Sequence, residues 1–175
     1  QAIGKGNADK RIDVIATMIT MNGTIEDLKE LELTYSPMFS TAKDVVNMAA
    51  LVATNILENR FKQVHVDEVR GLVESNAYIL DVREVGEFAN GHIKNAVNIP
   101  LSELRERMNE IPKDRTIYVH CRSAQRSYNA VMALLHNGYE NVYNVSGSFL
   151  GICLYEYFND ITKKREPIVT QYNFK

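Results

Sequence analysis

The sequence predicts an α/β fold, a parallel sheet covered by helices on both faces, and three observations carry that expectation. From about Phe61 onward, short apolar or β-branched runs alternate with helical patterns, the order that builds parallel strands joined by crossover helices. The run Thr116–Val119 is β-branched and aromatic, as a buried strand should be. Of the 175 residues, 45% are apolar, enough to core one domain with an appended segment.

The elements follow in order. Residues 11–22 carry apolar side chains at 12, 15, 16 and 19, which is helical spacing, and Asn22-Gly23 ends that helix as a C-cap. Thr24 with Asp27 gives an N-cap pattern for a short helix Ile25–Lys29. Leu31–Tyr35 alternates as a short strand, Ser36-Pro37 opens a loop, and Ala42–Asn59 reads as a helix. Beyond a charged boundary near Glu58–Lys62, the pattern changes. It gives an amphipathic turn or helix at His65–Val73, a strand at Ala77–Val82, and a short helix at Gly86–Asn90. A strand at Ala96–Ile99, a helix at Leu101–Ile111 and the strand Thr116–Val119 come next. A helix Ser127–Asn137 stops at Gly138, and a strand Asn141–Val145 and a helix Phe149–Phe158 complete the series. The expected units are therefore 1–60 and 61–175.

Composition narrows the function classes. Net charge is −2 with both signs interspersed, so there is no electrostatic footprint for nucleic acid. No apolar stretch approaches the ~20 residues needed to cross a bilayer, and no signal peptide opens the chain. A cytoplasmic protein without membrane partners is expected. Cys121 and Cys153 are too few for a disulfide scaffold or zinc ribbon, and neither has a second ligand at metal spacing. No metal is expected. The first residue is Gln1, which suggests a processed chain or, more in keeping with the upstream segment, a piece of a longer protein.

The chemistry concentrates at Thr116-Ile-Tyr-Val-His-Cys-Arg-Ser-Ala-Gln-Arg-Ser127, which runs from a strand through a small polar loop into a helix. Unpaired backbone N–H groups converge at such a helix start, and the macrodipole adds partial positive charge. A cysteine placed there is driven toward thiolate, the form that attacks sulfur or phosphorus. Arg122 and Arg126 are expected to reinforce this, with Arg122, Ser123, Ala124, Gln125 and Arg126 forming the substrate cradle. A buried structural cysteine is the bland alternative, and the polar loop with two arginines argues against it. Asp81, ending a strand, is read as an acceptor that fixes a loop or an arginine. Arg83 is read either as a holder of an anionic donor or as half of a local ion pair. His92 is read as tying the Gly91 turn, and Cys153 as core unless the fold brings it near Cys121.

Residues 78–152 resemble the rhodanese homology domain. Leu80-Asp-Val-Arg-Glu84, Glu87-Phe88 and Gly91-His-Ile-Lys-Asn-Ala-Val-Asn-Ile-Pro100 match that family's first signature, and His120–Ser127 matches its active-site loop. The resemblance implies a rhodanese-like sheet and a Cys121 that takes sulfur from a small sulfane-sulfur donor as a persulfide and passes it to a thiol acceptor. A non-catalytic module binding coenzyme A persulfide or a protein partner is the alternative. Phosphatases of related fold place five residues between the cysteine and the arginine, whereas here four separate Cys121 from Arg126, a smaller cradle suited to sulfur. Ala124 stands where that family often has glycine, and Ser146-Gly-Ser-Phe-Leu-Gly151 replaces its usual glycine pair and tryptophan.

The upstream segment resembles a different family. Gly4-Lys-Gly6, Asp9-Lys-Arg-Ile-Asp13, Leu33-Thr-Tyr-Ser-Pro-Met-Phe-Ser40, Ala42-Lys-Asp44 and Asn47-Met48 are similar to the end of the dimerisation domain of flavin-dependent pyridine nucleotide–disulfide oxidoreductases. The coenzyme A-disulfide reductase branch with a fused rhodanese domain, including its NADH-dependent persulfide reductases, is the nearest likeness. The resemblance implies a mostly helical partial dimerisation segment, a homodimer in the full-length context, FAD, NADH and coenzyme A as full-length cofactors, and Tyr35 as a coenzyme A contact. A packed strand aromatic is the other reading of Tyr35. No glycine-rich dinucleotide fingerprint follows a strand, so no cofactor is expected in this chain alone.

Overall fold

The computed structural model describes residues 2, 7–38 and 41–174. Gly4, Gly6, Phe39 and Ser40 of the upstream resemblance lie outside them. The chain falls into two compact units, Gln1–Arg60 and Phe61–Lys175.

The first unit is helical: α1 Ala8–Thr20, α2 Ile25–Glu30 and α3 Val45–Leu57. Asn22 takes the left-handed conformation (φ 55°) after α1, as its place in a C-cap requires. The Thr24 hydroxyl accepts the Asp27 amide at 3.1 Å while the Asp27 carboxylate accepts the Thr24 amide at 2.8 Å, a reciprocal capping box. Asp44 caps α3 and also pairs with Arg11 at 2.8 Å, which ties α1 to α3.

Leu31–Tyr35 is not a strand. An isolated strand has no ladder to satisfy its backbone, and here the Asn47 carboxamide reaches back instead, donating to the Leu31 carbonyl at 3.0 Å. The segment is an extended connection held by a side chain.

The second unit holds a five-stranded, all-parallel sheet in the order β1-β5-β4-β2-β3. Its strands are β1 Lys62–Val64, β2 Tyr78–Asp81, β3 Val97–Asn98, β4 Ile117–His120 and β5 Val142–Val145. Its helices are α4 Val69–Glu74, α5 Val85–Ala89, α6 Gln125–His136 and α7 Ser148–Lys163. Side chains alternate across the sheet, so neighbours on one strand feed different cores. Leu80, Ile117, Val119 and Cys121 pack with Ala130, Val131 and Leu134 of α6. Ile79 and Val145 pack with Val69 of α4 and Phe149, Ile152 and Cys153 of α7. Both faces are thus covered, as the strand–helix alternation predicted.

Three boundaries differ from the sequence reading. Strand β1 escaped it, because three residues at a sheet edge give no usable period. Leu101–Ile111 is a chain of turns ending in a short 3-10 turn, Met108–Glu110, rather than a helix. Its amide at Leu101 is taken by the Val82 carbonyl, and the Tyr139 hydroxyl donates to the Met108 and Ile111 carbonyls at 2.6 and 3.2 Å. Local turn bonds such as Glu103 to Pro100 and Glu106 to Glu103 fill the segment, and the bonds to Val82 and Tyr139 anchor its two ends. Helix α7 runs five residues beyond Phe158, and the tail after it folds back so that Ile93 bridges Val169.

Candidate active site

Cys121 follows β4 directly, and the loop 122–124 turns its chain into α6. Ala124, the residue before α6, sits at φ 75°, ψ −9°, a left-handed conformation that favours glycine. With Ala124 so placed, the amides of Ser123 and Ser127 hydrogen-bond the sulfur. No side chain caps α6, which leaves its first amides available.

Cys121 is only 1% exposed, and burial on its own would push its thiol up. The Ser127 hydroxyl, the Ser127 and Ser123 amides and the Ser148 hydroxyl outweigh that effect and hold the thiol below its ordinary range. Ser148 lies 3.9 Å from Sγ and accepts the Cys121 amide at 3.2 Å. It is the first residue of α7, where Gly147 (φ 78°) and Ser148 (φ 48°) both take left-handed backbone.

The two arginines also have partners of their own. Arg126 donates to both carboxylate oxygens of Glu87 on α5, at 2.6 and 2.8 Å, so its charge is largely answered. Arg122 donates to the Asn173 carbonyl at 3.4 Å. The thiol is thus depressed chiefly by hydroxyl and amide hydrogen bonds, and Arg126, though paired with Glu87, keeps an electrostatic attraction to the sulfur. Ser123 and Gln125 are exposed at the rim of the loop.

Asp81 and Arg83 form a fully buried pair at the end of β2. The Arg83 guanidinium donates to Asp81 at 2.6 Å and to the Gly91 carbonyl at 2.9 Å, and it stacks 4.0 Å over Phe149. At 1% exposure, and so engaged, Arg83 is an ion-pair partner rather than a free anion holder. His120 lies 3.5 Å from Asp81, and burial pushes its imidazole down, toward the neutral form. Its Nε2 makes no hydrogen bond at that distance.

His92 accepts nothing from the loop. Its ring stacks on Phe88 at 3.8 Å, its Nδ1 lies 2.9 Å from the Phe88 carbonyl, and its amide donates to Thr170 at 3.0 Å. It therefore ties the Gly91 turn to the C-terminal tail. Gly91 itself (φ 124°) allows the Gln171 carbonyl to pass where a Cβ would stand 2.5 Å away.

Tyr35 is half exposed beside a cleft of about 190 Å³ lined with residues 31–35, 41–44 and Asn47. Cys153 belongs to the core on the other face of the sheet from Cys121, and burial raises its thiol. The fold does not make it a partner for Cys121. No group of residues able to hold a metal occurs among the described residues. No helix among them is long and apolar enough to cross a membrane.

Sequence reasoning missed four contributors: Glu87 as the arginine's partner, Ser148, Asn144 behind Ser127, and Asn173 of the tail. Only the unusual Ser146–Gly151 segment signalled one of them.

A family model described as a rhodanese-like domain matches residues 65–154. The crystal structure of reduced Bacillus anthracis CoADR-RHD is 47% identical with a TM-score of 0.77, covering 81% of this chain and 25% of that one. An NAD-dependent persulfide reductase from A. fulgidus is 38% identical with a TM-score of 0.74, covering 83% and 26%. A sulfurtransferase of Allochromatium vinosum is 40% identical over 72 residues, 41% of this chain and 67% of that protein. Coenzyme A disulfide reductase of Staphylococcus epidermidis is 47% identical over 47 residues, 27% of this chain and 11% of that protein. The chain spans about a quarter of the two solved structures, and both likenesses cover more of it than the second unit alone supplies.

Proposed function

The chain belongs to the rhodanese-like domain family, and from that premise we propose that it carries sulfane sulfur as a persulfide on Cys121 and passes it to a thiol acceptor. The observation that carries this reading is a buried thiol held low by a converging set of amides and hydroxyls in a four-residue loop.

In the first half-reaction the Cys121 thiolate attacks the terminal sulfur of the donor. A Cys121–sulfur bond forms, the donor's own sulfur–sulfur bond breaks, and the leaving group departs with that electron pair. With thiosulfate as donor the leaving group is sulfite. In the second, an acceptor thiolate attacks the outer persulfide sulfur and Cys121 leaves as thiolate. The loop amides that favour the thiolate also favour the negative charge that a persulfide carries. At 1% exposure the sulfur admits a slim terminal atom rather than a bulky group. The cleft beside Arg122, lined by Asn90 and residues 171–174, gives the remainder of a donor or acceptor a place to rest.

Within a longer protein we place this unit beside a flavin site that uses FAD, NADH and coenzyme A, in a cytoplasmic homodimer. The two solved likenesses, which extend into the first unit, support that placement. We expect the FAD and NADH sites to lie in the rest of that protein, since no glycine-rich dinucleotide fingerprint follows a strand in this sequence.

A thiosulfate:cyanide transfer assay on wild type and Cys121→Ser tests the reading. Activity lost in a folded variant is the expected result, and activity retained would overturn it.

A further inference from the structure

We propose that Asn144 is a positioning residue for the sulfur site: its side-chain oxygen takes the Ser127 hydroxyl at 2.7 Å and so competes with the Cys121 sulfur for that donor. This deepens the reading of Cys121 as sulfur carrier and rests on it, yet its test reads the free thiol, so the two fail separately.

A hydroxyl has one proton to give. That of Ser127 faces the Asn144 oxygen at 2.7 Å, the Ala124 carbonyl at 3.1 Å and the sulfur itself. The Ser148 hydroxyl, 3.4 Å from that of Ser127, is similarly divided between the Val145 carbonyl at 3.2 Å and the sulfur at 3.9 Å. Asn144 holds the shortest of these bonds. It lies on β5 at 5% exposure, so bulk water does not stand in for its oxygen.

The competition has a direction. A neutral thiol is a weak acceptor, and the Ser127 hydroxyl stays on Asn144. A thiolate draws the hydroxyl over, and the carboxamide oxygen is left without it, which disfavours the ionised state. Asn144 therefore holds the thiolate back from the lowest value the loop allows. A thiolate of very low pKa is a poorer nucleophile, so this restraint keeps the sulfur reactive.

Charged groups around the site are the loop arginines Arg122 and Arg126, Glu87 from α5, His120 at the end of β4 and the Asp81–Arg83 pair at the end of β2. A substitution at Asn144 alters none of them.

The test is the pH dependence of Cys121 alkylation by iodoacetamide, followed by mass spectrometry of its peptide so that Cys153 does not interfere. Asn144→Val, which suits a strand and accepts no hydrogen bond, should move the midpoint down by about one pH unit. Ser127→Ala should move it up, and the double variant should titrate as Ser127→Ala alone. An unmoved midpoint in Asn144→Val, or a shift that survives in the Ser127→Ala background, overturns the proposal. If the valine variant does not fold, Asn144→Leu, closer in shape, is read the same way.

Discussion

Cys121 and Ala124 illustrate how much a single residue can hold. Ala124 bears a Cβ at φ 75°, a conformation that costs a non-glycine residue roughly 1–2 kcal/mol. Ala124→Gly should therefore stabilise the protein by about 1 kcal/mol, after allowing for the greater freedom of glycine when unfolded. Chemical denaturation checks this, and a destabilised variant would show that the strain is absent. For Cys121 the lowered thiol fixes the sign of a pH effect. A group depressed by folding contributes stability above its unfolded value and loses it as pH falls through its folded one. Alkylation of Cys121 should accordingly begin at lower pH than that of Cys153, whose thiol burial pushes up. The same midpoint for both cysteines would contradict the cradle. The cysteine and its loop were legible because they are contiguous in sequence. Asn144, Ser148 and Asn173 were not, since only the fold brings them to the loop.

At the level of elements, α5 and α6 are joined by Glu87 and Arg126, which pair over two oxygens. Arg126 lowers the Glu87 carboxyl, so the pair stabilises above the unfolded carboxyl range and weakens as pH drops through the lowered value. Glu87→Gln should cost about 1 kcal/mol at neutral pH, an amount discounted for the one-third exposure of both side chains. The difference from wild type should shrink as pH falls below the ordinary carboxyl range and vanish only beneath the lowered value. Thermal melts across that range decide it, and a constant gap would count against the pair. The strands that face both cores were readable from composition, and α1, α3 and α6 from their helical spacing. Leu31–Tyr35 alternated like a strand but found no partner, and Leu101–Ile111 closed a series of local turns that Val82 and Tyr139 pin at either end. Both misreadings have one cause: tertiary partners decided where local pattern was ambiguous.

The second unit as a whole is closed by its tail. Arg70 and Arg165 converge on Glu156 and Asp160 of α7, both nearly buried, and the Tyr172 hydroxyl donates to Asp160. Breaking a buried network by removing one charge costs about 3 kcal/mol. Asp160→Asn should lower stability by that order and release the tail, so the Lys94 and Thr170 amides, bonded to Ile168 and His92, should exchange faster with deuterium. Unchanged protection at those amides would show that the tail is held by other means. The tail also supplies Asn173 to Arg122 and walls the cleft beside it, so the clamp reaches the sulfur site from the far end of the chain. The central claim is that Cys121, on one face of the sheet, is the sulfur carrier, while Cys153, on the other, is core. Its most direct test is peptide mass mapping after treatment with thiosulfate. A gain of one sulfur atom confined to the Cys121 peptide is the expected result, and a gain on the Cys153 peptide, or none at all, would contradict the account.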